Sequence, residues 1–138
     1  MKRFALAPFT VALGICVLAS SGRALAHHAF AAEFDVNKRV TLEGTLTKVA
    51  WVNPHGWIYV DVEKDGKVTN WAVEFGSPHA LLRRGLRTSD FPPGIKVIVK
   101  GFLAKNGSPT VNAESVTLPG GRTLFTGSSN PNARGAAR

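Results

Sequence analysis

The sequence is short, basic and poor in cysteine. It has 138 residues, 44% of them hydrophobic, with a formal net charge of +8 and one cysteine. A chain of this length suits one small domain with one apolar core. Its cysteine, Cys16, falls in a segment that we expect to be removed, which excludes disulfides, a thiol nucleophile and a thiolate metal site from the remaining chain.

The first 26 residues are typical of a secretory signal peptide. Lys2 and Arg3 precede an apolar run over residues 4–19, and Ala24-Leu25-Ala26 supplies the small residues of a cleavage site. The apolar run is shorter than the roughly 20 residues that span a membrane. We therefore predict cleavage after Ala26 and a periplasmic or secreted chain without a transmembrane segment; the alternative is an uncleaved anchor.

The charge of the predicted mature chain is modest. Removal of Lys2, Arg3 and Arg23 lowers the formal charge from +8 to +5. Such a chain attracts anions, including envelope polymers, membrane headgroups and acidic ligands. Export argues against nucleic acid, the usual partner of a basic small barrel.

The strongest structural signal lies in residues 40–62. Apolar and polar residues alternate up to Leu46, which predicts a strand with one buried face. The inward residues up to Leu46 are at even-numbered positions, whereas Val49 and Trp51 are at odd-numbered ones. If both sets point inward, the strand contains one extra residue, so we predict a β-bulge within residues 44–48. The bulge should curl this first strand, and alternation after the turn at residues 53–56 predicts an antiparallel partner.

The remaining elements follow in order. Residues 27–38 are predicted as an extended arm rather than a helical turn, and residues 126–138 as a disordered tail because they have no apolar period. Turn residues such as Asp65-Gly66 separate the strands. The predicted strands cover about residues 39–51, 57–63, 68–75, 95–103 and 110–118, with a short last strand at 123–125.

One short helix is predicted over residues 77–85. Ser77 can cap its first turn, Pro78 suits the first helical position and Gly85 can adopt the left-handed ending. Arg83 and Arg84 favour the negative end of the helix dipole. These capping and helix-end residues predict a helix between the third and fourth strands.

The predicted fold is all-β, a small five-stranded OB-fold-like barrel with one short helix between strands 3 and 4. The barrel domain should cover residues 39–125 as a single unit. An open sandwich of the same strands is the alternative.

Several stretches also resemble a known family. They are HHAFAAEFD (27–35), GTLTKVAWVNPHGWIYVDV (44–62), NWAVEFGSPHALLRRG (70–85), PGIKVIVKGFLAKNG (93–107) and SVTLPGGRTLF (115–125). They are similar to exported bacterial proteins grouped as domain of unknown function 6152. The resemblance implies a small exported all-β domain and brings no established activity with it.

Four histidines carry the candidate metal chemistry: His27, His28, His55 and His79. In a meander of three strands, the loop after the first and the segment after the third lie at one end of the sheet, which should bring His55 and His79 together. After cleavage, His27 would offer its α-amino and imidazole nitrogens to copper or another divalent transition metal. The alternatives are that His27 and His28 lie beside the cleavage site by chance, that His55 is a turn residue bonded to backbone, and that His79 is an exposed helix residue.

A second candidate site lies on the outer face of the second strand. Trp57 and Tyr59 alternate with inward residues, and Asn53 and His55 occupy the adjoining loop. These four residues are predicted to contact a small ligand, an envelope component or a partner protein. Outward aromatic residues of this kind are more often covered by an arm, and for Trp57 and Tyr59 we favour cover by Phe30 or Phe34 over ligand stacking.

Catalysis has little support in the sequence. Asp61 and Glu74 are isolated carboxylates, and the capping role of Ser77 already explains its position. We therefore predict an exported, non-enzymatic binding module, with a metal-binding protein as the alternative. A structural envelope domain without a ligand is the third hypothesis.

Overall fold

The computed structural model describes residues 30–126. The predicted signal peptide, His27, His28 and residues 127–138 lie outside the described residues. The described elements are β1 (Phe34–Trp51), β2 (Gly56–Lys64), β3 (Lys67–Glu74), the helix α1 (Pro78–Arg83), β4 (Lys96–Ala104), β5 (Thr110–Thr117) and β6 (Thr123–Phe125), with a 3-10 turn at Thr88–Asp90.

The first five strands form a closed ring. Strand β1 pairs antiparallel with both β2 and β4, β2 pairs with β3, and β4 pairs with β5. A short parallel pairing of β3 with β5 completes the ring, and β6 extends the sheet beside β5. The predicted all-β class is confirmed, and a closed ring with a helix between β3 and β4 is compatible with the OB-fold-like arrangement.

Strand β1 is long because a bulge lets it serve two neighbours. Its register with β2 steps from Leu46 opposite Val60 to Lys48 opposite Tyr59, which leaves Thr47 as the extra residue. The predicted bulge is therefore confirmed. Just before it, Gly44 passes so close to β2 that an added Cβ would lie 2.3 Å from the Asp61 carbonyl oxygen.

The apolar core fills the ring and is closed by the segment between β3 and β4. Ser77 Oγ accepts a hydrogen bond from the Ala80 amide at 3.3 Å, and Gly85 has a φ of +79°, so both predicted helix signals are confirmed. Leu81 of α1 is fully buried. The core residues are Leu42, Leu46, Ile58, Val60, Val73, Phe75, Leu81, Leu86, Phe91, Val97, Val99, Val111, Ala113, Val116, Leu118 and Leu124, with Trp51 and Trp71 packed against them.

The segment predicted as an extended arm contains a helical turn and the start of β1. Residues 30–33 are helical, and β1 begins at Phe34, whereas the prediction began it at about Arg39. The reason is a small aromatic cluster outside the ring. The Phe30 ring centroid lies 5.6 Å from that of Phe34 and 5.8 Å from that of Phe102 on β4.

Thr126 belongs to the domain and not to the predicted tail. It is fully buried, and its hydroxyl donates to the Ala113 carbonyl oxygen at 2.7 Å. Its amide donates to Glu114, and its carbonyl oxygen accepts from the Gly76 amide. An apolar pattern could not reveal this position, because hydrogen bonds rather than apolar side-chain packing hold Thr126 in the domain.

Candidate ligand-binding pocket

A pocket of about 480 Å³ lies on the outer face of the ring, between residues 32–34 and the surfaces of β2, β3 and β5. Apolar, acidic and hydroxyl side chains share its surface. The lining residues are Ala32, Glu33, Phe34, Trp57, Glu74, Ala104, Lys105, Asn106, Ser108 and Thr110.

Strand alternation places Trp57 and Glu74 next to each other on this outer face. Their neighbours Ile58 and Val73 point into the core, so the intervening residues point outward. Trp57 and Glu74 are directly opposite in the β2–β3 ladder. Side chains in such a pair lie within about 5.5 Å at their Cβ atoms, and both residues line the pocket.

Glu74 is an outward-facing residue that is nevertheless buried. Its side chain is only 4% exposed. Burial, followed by the negative charge of Glu33, raises the pKa of Glu74 from its ordinary value of 4.5 to about 7. The pocket therefore contains a carboxyl group that can be neutral or charged at physiological pH.

His55 contacts this carboxyl group. Its Nδ1 atom meets Oε1 of Glu74, and its side chain remains 37% exposed. The contact follows from the turn before β2, because the Gly56 amide bonds to Gly76 and the Phe75 amide bonds to Gly56. An imidazole and a carboxyl group in contact can hold a proton on either partner.

Sequence reasoning missed Glu74 by treating it as an isolated carboxylate. The signal that could have found it was the two-residue turn at Asp65-Gly66, which fixes the hairpin register. That register places Glu74 opposite Trp57. Its burial depends on residues 32–34, which hairpin register alone does not reveal.

The mouth of the pocket is partly polar. Glu33 is exposed there. Lys105 is tied to the covering segment, since its Nζ atom donates to the Ala31 carbonyl oxygen and its amide donates to Glu33. The hydroxyl groups of Ser108 and Thr110 bond to each other at 3.0 Å. Asn106 also lines the pocket, and its Oδ1 atom accepts from the Ser108 amide at 3.0 Å.

The other residues predicted to contact a ligand lie outside the pocket lining. Tyr59 is on the same face of β2, and the Lys48 Nζ atom lies 5.4 Å from its ring centroid. Asn53 is exposed in the loop before His55. Phe30 and Phe34 pack on Phe102 rather than forming an aromatic cluster with Trp57 and Tyr59, although Phe34 lines the pocket together with Trp57.

The predicted metal ligands are only partly described. His79 is exposed on α1. The loop of His55 lies near the start of that helix, because the amide of the next residue, Gly56, donates to the Gly76 carbonyl oxygen. Within residues 30–126, no group of three or more His, Cys, Asp or Glu side chains could hold a metal ion. His27 and His28 lie outside this range, so the complete metal site stays a prediction.

Comparison with known proteins gives a family without an activity. No curated protein and no solved structure matches the sequence. Over residues 30–126, none of the helices is both long and apolar enough to span a bilayer. The family match covers residues 14–113, well over half of the chain, and its description is a family of unknown function. The chain therefore belongs to the family of unknown function DUF6152.

Proposed function

We propose that this protein is an exported, non-enzymatic binding module that holds a small ligand in the outer pocket. The observation that carries the proposal is an open surface pocket of about 480 Å³ lined by Trp57 and by the buried carboxyl group of Glu74. Small-molecule sites are commonly about 300 to 1,000 Å³, largely apolar, with a few fixed polar groups. The signal-like first 26 residues support export to the periplasm or beyond.

The arrangement of the lining residues favours binding over catalysis. Nucleophilic catalysis needs a nucleophile beside a base. In the pocket, the Ser108 hydroxyl is bonded to Thr110, and the Lys105 ammonium group is bonded to a carbonyl oxygen. His55 and Glu74 contact each other, and the Ser108 hydroxyl donates to Thr110 rather than to this pair.

A thermal-shift screen with acidic, neutral and basic small molecules tests the proposal. At least one compound should stabilise the wild-type protein and lose its effect in Ala104→Trp, because the indole would fill the pocket. Ala32→Trp is a second blocking variant at an exposed lining position. Lys100→Trp, an exposed change elsewhere on β4, is the control. Equal stabilisation of wild-type and both blocking variants would place binding outside the pocket.

A metal-binding protein is the second candidate function, favoured by the contact between His55 and Glu74. An imidazole and a carboxylate are ligands for divalent transition metals. The remaining ligands would come from His27 and His28, with His79 as a further donor. The test is a copper(II) titration, followed by visible and electron paramagnetic resonance spectra, of a chain that mass spectrometry shows to begin at His27. His55→Ala should change these spectra, and a wild-type sample without a signal would end the proposal.

A further inference from the structure

We infer that the ligand of the outer pocket is a small organic cation, namely an ammonium group with an apolar body. The inference rests on the proposed function and names the chemical class that the pocket selects. Three properties of the lining carry it: the arrangement of the two carboxyl groups, the aromatic wall and the engagement of the other polar groups.

The two carboxyl groups lie at different depths. Glu74 is buried in the pocket, and Glu33 is exposed at its mouth. Both side chains line the same pocket. His55 engages Oε1 of Glu74. A cation placed between the carboxyl groups would relieve their repulsion and compensate the buried charge.

An aromatic surface stands beside the buried carboxyl group. Trp57 is the direct cross-strand neighbour of Glu74, and Phe34 lines the same pocket. The face of an indole is the best aromatic partner for a cation, and quaternary ammonium ligands are typically held by aromatic side chains. Trp57 can therefore contact both the positive charge and the apolar body of such a ligand.

Several of the other polar lining groups are already engaged within the protein. Lys105 donates to the Ala31 carbonyl oxygen, and the Ser108 and Thr110 hydroxyl groups are bonded to each other. An anionic ligand would meet Glu33 and Glu74 at short range. The formal charge of +5 expected after cleavage is spread over the chain and is screened over about 8 to 10 Å, so the field in the pocket is set mainly by its own groups, two carboxyl groups and the Lys105 ammonium group.

The experiment compares cations with neutral molecules of the same shape. Choline is titrated calorimetrically against 3,3-dimethylbutan-1-ol, which replaces the charged nitrogen by carbon, and butylamine is titrated against butan-1-ol. At least one cation should bind about tenfold or more tightly than its neutral counterpart. Equal affinity within both pairs, or tighter binding of the neutral molecules, would overturn the inference.

Variants locate the charge recognition. Glu74→Gln and Trp57→Leu should each weaken cation binding by about tenfold or more, and Glu33→Gln should weaken it by a smaller factor without disturbing the fold, since Glu33 is exposed. Glu43→Gln and Phe125→Leu, which change an exposed carboxylate and an exposed aromatic residue outside the pocket, should leave affinity within about twofold of wild type. Unchanged affinity in both Glu74→Gln and Glu33→Gln would refute charge recognition.

The outcome also separates this inference from the proposed function. If neither cation binds, while a neutral or acidic compound stabilises the wild-type protein and not Ala104→Trp, the ligand class is wrong and the pocket remains a binding site. If no compound of any class binds at the pocket, both proposals fail.

Discussion

Glu74 is the residue in which burial and charge oppose each other most clearly. Its side chain is almost completely buried, and its pKa is raised to about 7. Because an ionised carboxylate is costly to bury, the folded protein holds a proton on Glu74 at pH values where the unfolded chain has released it. The stability contributed by this residue should therefore depend on pH.

We predict that the wild-type protein loses about 2 to 3 kcal/mol of unfolding free energy between pH 5 and pH 8 through Glu74. The folded-state pKa is above the unfolded value of 4.5, so this contribution is fully present below about pH 4.5 and is lost as the pH rises through about 7. Urea denaturation at several pH values measures it. Glu74→Gln should remove this part of the slope, and Glu43→Gln, at an exposed carboxylate, should retain it. Parallel pH profiles for wild type and Glu74→Gln would contradict the prediction.

At the scale of elements, the segment that enters β1 completes the pocket. Phe30 and Phe34 stack together, and Phe102 meets Phe30 edge to face. The Lys105 amide donates to the Glu33 carbonyl oxygen at 2.9 Å, which fixes the same segment to the end of β4. Residues 30–34 therefore depend on a small cluster of their own, outside the main core.

Phe30→Ala should loosen this segment while leaving the ring intact. Loss of the aromatic packing should increase local opening, so hydrogen exchange at the Lys105 amide should accelerate about tenfold or more. The Ala72 amide, which bonds to Pro109 between β3 and β5, is the internal control and should keep its protection. Val36→Ala, at a 48% exposed position in the same part of β1, is the control variant. Equal acceleration at Lys105 and Ala72 would show that the segment opens only with the whole domain.

At the scale of the whole molecule, the ring is closed by few contacts. Strands β3 and β5 pair through Ala72 to Glu74 alone. Thr126 adds hydrogen bonds between the same two elements. Its hydroxyl and amide groups donate to β5, and its carbonyl oxygen accepts from the Gly76 amide just beyond β3. One buried polar residue thus joins the two elements that meet where the sheet closes on itself.

Thr126→Val should therefore destabilise the entire domain. The substitution keeps the shape of the side chain but leaves the buried Ala113 carbonyl oxygen without its hydroxyl donor, which costs about 1 to 3 kcal/mol. Denaturant unfolding measures the loss as a lower midpoint. Thr123→Val, an exposed change on β6, is the matched control and should cost less. A midpoint for Thr126→Val as high as that for Thr123→Val would show that this hydrogen bond is not needed for closure.

Local sequence patterns predicted most of the architecture. Alternation of side chains located the strands, the change of parity before Val49 predicted the bulge, and Ser77 and Gly85 marked the ends of the helical segment. These signals depend on residues a few positions apart, so they are readable from the sequence. The start of β1 and the role of Thr126 were missed because both depend on partners distant in the chain.

Residue patterns along the chain were enough to predict the order of the elements, the inward and outward faces of the strands, the family and the position of Trp57 and His55 at one end of the second strand. The burial of Glu74, its contact with His55 and the pocket wall formed by residues 32–34 became visible only in the folded chain. Burial and pKa could not be predicted from these patterns because they depend on how chain segments pack in space. Residues 33, 55 and 74 share one electrostatic environment only after the ring has closed and the first segment has packed against it.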